Sequence, residues 1–360
     1  MVVMTPTVGG TNLVAVYRIF STILGCYSAM IFYMLFPANM YVLPILTWLF
    51  SIPNFWMILN NKHGKFGQFI LLAYNLVMLN KYNDRDTNEV EVWRLAMQRC
   101  FAILVGVVFG LITTAYVWPY EARVELRKGL SDLLLRLAWL YQKLISLYAD
   151  VPIKQKQPLD PRASETQILT HEAQEKLATQ SFMDLELSLQ RSLIELNDLL
   201  SQTPNEPRLK GPFPINTYRT MLLSCQNIVD RFLSMRTVML KDAWHNHVQH
   251  DFMAPVAHER REMIGNVLLY FYLLASALRL KTPMPPYFPP ARKAWQQLLS
   301  HLKSAPIAQS KQLLEQDNVY VFYYAYVTLM EDVIRELDKV ILTNYTSAMY
   351  LFYYYSWVIT

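Results

Sequence analysis

Two arginines stand beside long uncharged stretches, where a permanent positive charge could act on an anion. Arg18 precedes 43 residues without Asp, Glu, Lys or Arg, and Arg99 precedes a second uncharged stretch at 100–120. A guanidinium near the end of a membrane helix can extend to the lipid headgroups, or it can face a water-filled path and attract an anion. Both interpretations stay open, and Arg18 and Arg99 are candidates for a substrate pathway.

Neutral polar side chains in the same stretches could bind the rest of such a substrate. Asn54 and Asn75 each carry donors and acceptors that we expect to need partners across helices, either as contacts between helices or along a path. Tyr74 adds a ring that could stack on an aromatic substrate. Serine and threonine hydroxyls can bond to their own helix backbone, so their presence says little about a path.

Motifs for catalysis or metal binding are not evident. Two His-Glu pairs, at 171–172 and 258–259, lack the second histidine of HExxH, and GxSxG, GxGxxG and P-loop sequences do not occur. His245 and His247, in the tract 244–250, would point in different directions on a helix, so we expect solvated or packing histidines. Three cysteines are too few for a disulfide framework or a cysteine-based zinc site. We expect no enzyme activity, no metal site and no cofactor.

The composition divides the 360 residues into two parts. The chain is 53% apolar and 17% charged, against about 25% charged in average soluble proteins. The first 119 residues hold 11 charged side chains, whereas the remaining 241 hold 50. The first part therefore suits a lipid bilayer and the second suits water. A diffuse net charge of +5 does not indicate nucleic-acid binding.

The uncharged stretches predict four membrane spans, since about 20 apolar residues cross a bilayer. They lie at about 14–36, 41–59, 66–80 and 100–119; the third is short, and its flanking lysines would have to reach the interface. Buried helices of a large soluble protein are the weaker alternative. If both termini are cytoplasmic, six basic residues near the span ends lie on the cytoplasmic side and four lie on the other side, a bias that favours this orientation.

Three glycines are predicted to let membrane helices pack closely. Gly25 and Gly106 each lie seven residues after an arginine, and Gly110 completes a small-xxx-small spacing with Gly106. The repeat of the Arg–Gly spacing in spans one and four is either a shared pattern or chance.

The remaining chain, 120–339, predicts an all-α bundle in the cytoplasm. Its first helix carries a leucine seam spaced by alternate steps of four and three: Leu126, Leu130, Leu133, Leu137, Leu140, Leu144 and Leu147. Proline-rich loops are expected at about 150–163, 203–214 and 282–290. Helices are expected between them at about 164–202, 215–248, 256–280, 290–303 and 308–339.

Two further uncharged stretches are ambiguous. Residues 263–278 could form a fifth span, but their length and Asn266 favour a buried bundle helix. Residues 340–360 are uncharged and aromatic; they could be a tail anchor or an altered end from an error in gene prediction.

Three segments resemble one transporter superfamily. YRIFSTILGCYSAMIFYMLFP (17–37) resembles the Arg–Thr–Gly helix of the fusaric acid resistance and aromatic acid exporter superfamily, and residues 97–134 are similar to its last span and exit into the cytoplasm. RLKTPMPPYFPPARKAW (279–295) is similar to the C-terminal domain of the fungal, brefeldin A sensitivity-type branch of endoplasmic reticulum transporters.

The resemblance implies a multi-pass protein of the endoplasmic reticulum or, alternatively, the plasma membrane. Family members carry two six-helix halves, each followed by a helical domain, so the chain would be a C-terminal fragment that needs the N-terminal membrane half or another subunit. The resemblance also favours a buried helix at 263–280 and does not extend to the tail at 340–360.

The leading functional hypothesis is efflux of organic anions or amphipathic compounds. The alternative is a non-transporting scaffold, in which four spans anchor a helical domain that binds a protein partner through the seam at 126–147. Substrate, energy coupling, direction and oligomeric state are not set by the sequence.

Overall fold

The computed structural model describes residues 5, 7–37, 39, 41–60, 64–83, 91–117, 119–148, 164–206, 213–239, 256–282, 285, 287–304 and 319–359. These residues form α-helices and no strand, which confirms the all-α prediction. In chain order the described helices are α1 Val8–Leu35, α2 Val42–Asn60, α3 Gly64–Asn83, α4 Val92–Ile112, α5 Ala122–Tyr148, α6 Ser164–Gln202, α7 Ile215–Met239, α8 Ala257–Leu280, α9 Ala291–Ser304 and α10 Val319–Ile359.

The apolar helices extend beyond the predicted spans. α1 begins at Val8 because the Thr7 hydroxyl accepts a hydrogen bond from the Gly10 amide at 3.0 Å and caps its first turn. α4 begins at Val92, before the predicted start of span four, and continues as a π-helical turn over Thr113–Val117. Pro119, which has no N–H to donate, follows this turn.

The chain divides into two compact units. The first comprises Met1–Ala122 and Gln202–Pro212, and the second comprises Arg123–Ser201 and Phe213–Thr360. The division after Ala122 lies close to the predicted boundary between 119 and 120.

Within the first unit, α3 is the central helix. It packs most extensively on α1 and also contacts α2 and α4. Nine of its 20 residues are buried, including Tyr74 and Val77, whereas α2 buries Leu43 and Asn54 alone. The side chains that α2 leaves open are large and apolar, for example Trp48 and Leu49.

Four described helices are long and apolar enough to cross a membrane: α1, α2, α4 with its π turn, and α8. α3, the predicted third span, is not among them, since its sequence includes Lys65, Asn75 and Lys81. Lys81 is buried among the neighbours of α3 and Asn75 is half-buried, whereas Lys65 is exposed at the first turn of the helix.

A polar junction closes the first unit at the start of α1. The Glu206 carboxylate accepts a hydrogen bond from the Ala122 amide at the first residue of α5, and the Val8 amide donates to the Tyr120 carbonyl at 3.1 Å. Gly9 lies against the Gln202 carbonyl, which a Cβ at Gly9 would approach to 2.4 Å. The first turn of α1 therefore leaves no room for a larger residue at position 9.

The second unit is a helical bundle with one large apolar core. Leucines of the predicted seam, from Leu126 to Leu144, are all buried there. Tyr141 of α5 stacks on Phe232 of α7 with ring centroids 5.3 Å apart, and the Ser131 hydroxyl donates to the Ala275 carbonyl of α8 at 2.7 Å. The seam therefore packs inside its own domain. Leu147 lies outside the side chains that the structure describes.

α8 is a core helix of this bundle despite its apolar sequence. In its most apolar window 44% of the residues are buried, against 39% in α1 and 11% in α2 and α4. Met263, Phe271 and Leu274 reach the core, while its exposed side carries charged Arg261 and Arg279 at its two ends. This packing agrees with the expectation of a buried bundle helix over 263–280.

The last helix is longer than expected. α10 runs without interruption from Val319 to Ile359 and so includes most of the aromatic tail at 340–360. The predicted loop at 150–163 and half of the one at 203–214 lie outside the described residues; Thr203–Asn205 form a 3-10 turn.

Candidate functional site in the apolar helices

Arg18 lies well inside α1. Ten residues, about 15 Å of helix, separate it from Val8. Its guanidinium stacks on Phe69 of α3, 4.6 Å from the ring centroid, a contact that contributes up to about 2 kcal/mol when desolvated. Its Nη1 atom is buried without a hydrogen-bond partner. Arg18 thus has donors left for an anion.

Tyr74 forms part of the packing between α1, α2 and α3. Its ring is fully buried against Phe32 and Phe50, with centroids 6.0 Å and 4.7 Å away, and its hydroxyl lies 3.1 Å from the Thr47 hydroxyl. Because every face of the ring is covered, Tyr74 supports the site in this conformation and has no open surface for a substrate to stack on.

The two asparagines differ in their surroundings. Asn54 is buried, and its side-chain amide donates to the Phe50 carbonyl one turn earlier in α2, at 2.8 Å. The expectation that Asn54 needs a partner on another helix is therefore wrong, since its amide reaches its own backbone. Asn75 is half-buried on α3, one residue after Tyr74.

Hydroxyl groups in these helices also bond to their own backbone, as expected. Thr22 donates to the Arg18 carbonyl at 2.6 Å, Ser28 to Gly25 at 2.9 Å and Thr114 to Gly110 at 2.9 Å. Each satisfies its hydroxyl without a partner helix.

The three predicted packing glycines have different environments. Gly25 lies at the crossing of α1 and α3, where a Cβ would come within 2.6 Å of the Ile70 carbonyl oxygen. A Cβ at Gly106 or Gly110 would meet nothing within 4 Å among the described residues. Of the three, only Gly25 forms a close helix contact in the described structure.

A cavity of about 370 Å³ lies between α1 and α4. Its walls are almost entirely apolar and include three aromatic rings and four sulfur-bearing side chains, of which Met97 is exposed. The lining residues are Ile19, Thr22, Ile23, Cys26, Tyr27, Met30, Trp93, Ala96, Met97, Cys100, Phe101, Ile103 and Leu104. This cavity was not predicted from the sequence. The spacings Cys26-x3-Met30 and Met97-x2-Cys100, which place two sulfurs on one face of each helix, were the available signal.

Arg99 borders this cavity from an exposed position on α4. It precedes the wall residue Cys100, and its charge acts on the thiol of Cys26 across the gap between the helices. The five predicted pathway residues are therefore spread over four helices. No hydrogen bond joins any two of Arg18, Asn54, Tyr74, Asn75 and Arg99 in the described part of the chain.

The bundle contains a second group of buried polar side chains. Tyr141 is fully buried, and burial raises the pKa of its hydroxyl well above the usual value; nearby Tyr326 adds to the shift and nearby Arg260 opposes it. Burial likewise raises the pKa of the Cys225 thiol to about 12. These groups remain neutral over the physiological range and act as core residues.

The described residues hold no group of three or more His, Cys, Asp or Glu side chains that could bind a metal together. The histidine tract at 244–250 lies outside the described residues, and His258 is exposed at the start of α8. The apolar helices contain a stacked arginine, an apolar cavity and a buried aromatic cluster.

Two parts of the chain match known protein families. Residues 1–113 match the family described as Fusaric acid resistance protein-like, and residues 121–344 match the Brefeldin A-sensitivity protein 4-like domain. The four apolar helices and the first match fit a multi-pass membrane protein.

One curated relative is Protein BRE4 of Eremothecium gossypii (strain ATCC 10895 / CBS 109.51 / FGSC 9923 / NRRL Y-1056), which is 21% identical over 222 residues. The aligned region is 61% of this chain and 19% of the relative, so the chain matches about a fifth of that protein's length. The resemblance seen in residues 17–37, 97–134 and 279–295 is thus confirmed. The segment at 1–113 is similar to fusaric acid resistance proteins. Because the match at 121–344 covers well over half of the chain, the protein belongs to the Brefeldin A-sensitivity protein 4-like domain family.

Proposed function

We propose that this chain is part of a transporter of the endoplasmic reticulum that exports organic anions or related amphipathic compounds. The observation that carries the proposal is the state of Arg18, a cation within the apolar helices whose Nη1 is buried without a hydrogen-bond partner. A buried donor without a partner has a free-energy cost, which an anion would offset by accepting its hydrogen bond.

Other features of the first unit suit the same class of substrate. Phe69 stacks on the Arg18 guanidinium, and a carboxylate that reached Nη1 would accept a charge-assisted hydrogen bond. Arg99 supplies a second positive charge on α4, and half-buried Asn75 supplies a neutral amide on α3. Tyr74 and Asn54 are assigned supporting roles, since their side chains are fully engaged.

The experiment measures efflux of radiolabelled benzoate, an aromatic carboxylate, from microsomal vesicles that contain the full chain. Arg18→Gln should lower the flux about tenfold at equal abundance, because losing a charge-assisted hydrogen bond costs about 1.5–3 kcal/mol. Lys65→Gln, which removes an exposed charge at the start of α3, is the matched control and should leave the flux unchanged. Equal flux for Arg18→Gln and wild type contradicts the proposal.

The proposal extends to partners. α4 presents Gly106 and Gly110 with open space beside them, a spacing that allows close approach of another membrane helix. We assign this side of α4 to further helices, from the N-terminal membrane half found in longer family members or from another subunit.

A non-transporting scaffold is less well supported. The surface assigned to its partner was the leucine seam at 126–147, and Leu126, Leu133 and Leu140 are buried in the core of the bundle. A scaffold would have to bind through a different surface of this domain.

A further inference from the structure

The cavity between α1 and α4 contains four sulfur-bearing side chains from two helices. Cys26 and Met30 come from α1, and Met97 and Cys100 come from α4. The pairs are four and three residues apart, so within each pair the Cβ atoms lie about 5–6 Å apart on one face of the helix. The two helices are neighbours, and all four side chains line the same cavity.

Two of the four side chains are free cysteines that line the cavity from different helices, Cys26 from α1 and Cys100 from α4. Cys26 is 2% exposed and Cys100 is half-buried, so both thiols are largely shielded from solvent. Cys26 and Cys100 are 74 residues apart in sequence, and the packing of α1 on α4 places both in the wall of one cavity.

From this geometry we infer a site for a soft monovalent metal ion, Cu⁺ or its analogue Ag⁺, with the two cysteines as thiolate ligands and the two methionines as thioether ligands. Thiolates and thioethers select Cu⁺ among the biological metals. Zn²⁺ and other harder ions prefer sites with more thiolate, imidazole or carboxylate ligands, which the cavity lacks.

Binding is a ligand exchange without oxidation or reduction. Cu⁺ displaces one proton from each thiol, giving a bis-thiolate complex of charge −1, and the two protons leave to water. Arg99 precedes Cys100 on α4 and supplies a positive charge that offsets the negative charge of that complex. Neutrality matters here because a net charge among apolar helices is costly.

The aromatic rim suits this role. Tyr27, Trp93 and Phe101 line the cavity and leave its interior apolar. An apolar surrounding keeps water from competing for the ion and favours soft ligands. The proposed metal site does not depend on Arg18, which does not line this cavity, although both proposals use the charge of Arg99.

The test is metal binding by the purified full chain in detergent under oxygen-free, reducing conditions. Ag⁺ and Cu⁺ are added separately and competed with bathocuproine disulfonate, and the retained metal per chain is counted. We expect one ion per chain, and Zn²⁺ should not be retained. Sulfur-only coordination should appear in the X-ray absorption spectrum of the wild-type protein, a result that depends on no variant.

Variants separate the four ligands from the rest of the chain. Cys26→Ser and Cys100→Ser should each weaken Ag⁺ binding at least about 100-fold, and the pair Met30→Leu with Met97→Leu about tenfold. Cys225→Ser removes a fully buried thiol from the other unit and should bind as the wild type does. Each variant is accepted only if it remains monodisperse with an unchanged melting temperature.

Three results would overturn the site: no retained ion in the wild type, equal retention by the Cys26→Ser/Cys100→Ser protein, or nitrogen and oxygen neighbours in the absorption spectrum. Binding at more than one ion per chain with no effect of any cysteine variant is the adventitious case and also rejects it.

Discussion

Gly25 of α1 lies directly against Ile70 of α3, so that a Cβ on the glycine would come within 2.6 Å of the isoleucine carbonyl oxygen. Ala73 and the Tyr74 amide border the same point, so backbone as well as side chains would have to move. The crossing of these two helices sets the position of the buried aromatic cluster and of Arg18, seven residues earlier on α1.

Gly25→Leu should therefore destabilise the first unit. Forcing a larger side chain into a closed contact costs about 1–3 kcal/mol, and we expect a lower melting temperature in detergent and a loss of monodisperse protein. Gly106→Leu is the matched control, since the space beside Gly106 is open. Equal losses for both variants would show that the crossing of α1 and α3 does not have this geometry.

Phe232 should be one of the most sensitive positions in the bundle, because its ring stacks on Tyr141 and also contacts Phe271. Phe232→Ala should cost about 3–5 kcal/mol. The measurement is made in a Cys26→Ser/Cys100→Ser background, where fully buried Cys225 is the only cysteine and is alkylated only when the bundle opens. Phe232→Ala should raise the alkylation rate of Cys225 more than about 100-fold.

The control on the same helix is Leu223→Ala, because Leu223 is exposed. It should change the Cys225 alkylation rate less than about threefold, since surface changes are usually within about 0.5 kcal/mol. Similar rates for the two variants would mean that the core is not arranged as described.

Lys281 ends α8 in a left-handed conformation with φ of 57°, where glycine is preferred. Lys281→Gly should stabilise the bundle by about 1 kcal/mol and slow Cys225 alkylation about fivefold. Glycine at exposed Gln297, in the middle of α9, should act in the opposite direction by about 1 kcal/mol because glycine weakens a helix interior. A stabilising effect at Gln297, or a destabilising one at Lys281, would contradict this account.

Glu336 makes the bundle sensitive to acid. Burial opposes its ionisation, yet hydrogen bonds from Lys339, Ser224 and Asn227 outweigh burial and lower the pKa of its carboxyl below the usual 4.5. Its contribution is therefore present above pH 4.5 and is lost as the pH falls through the lowered value. Glu336→Gln should melt at a lower temperature than wild type at pH 7, and the difference should shrink towards pH 3. A difference that persists unchanged at pH 3 would contradict this role.

The elements whose environment follows from helical periodicity were predictable. The spacing of the leucines from 126 to 144 predicts that one face of the helix is buried, without saying which helices pack on it. These leucines are all buried in the bundle. Hydropathy was a poorer guide for α3, because hydropathy reports exposure to lipid whereas this helix is covered by its neighbours. Asn54 was misjudged because its amide reaches its own backbone.

The cavity between α1 and α4 could not be predicted in the same way. Each helix shows two sulfurs on one face, but the sequence does not say that the two faces meet. The presence of Cys26 and Cys100 in the wall of one cavity depends on how α1 packs on α4, which local sequence does not determine.

The central claim is that the apolar helices lie in a bilayer while the bundle, with α8, lies in the cytosol. The side chains of Leu49 on α2 and Tyr272 on α8 are both exposed on the protein surface. Their accessibility to a water-soluble reagent should therefore differ only if lipid covers one of them. Each is changed to cysteine in a background that lacks Cys26, Cys100 and Cys225, and sealed microsomes with the cytosolic face outward receive a membrane-impermeant maleimide. The account predicts rapid labelling of Tyr272→Cys and none of Leu49→Cys until SDS is added, because a thiol in hydrocarbon does not ionise. Labelling of Leu49→Cys in intact vesicles, or protection of Tyr272→Cys, would contradict it.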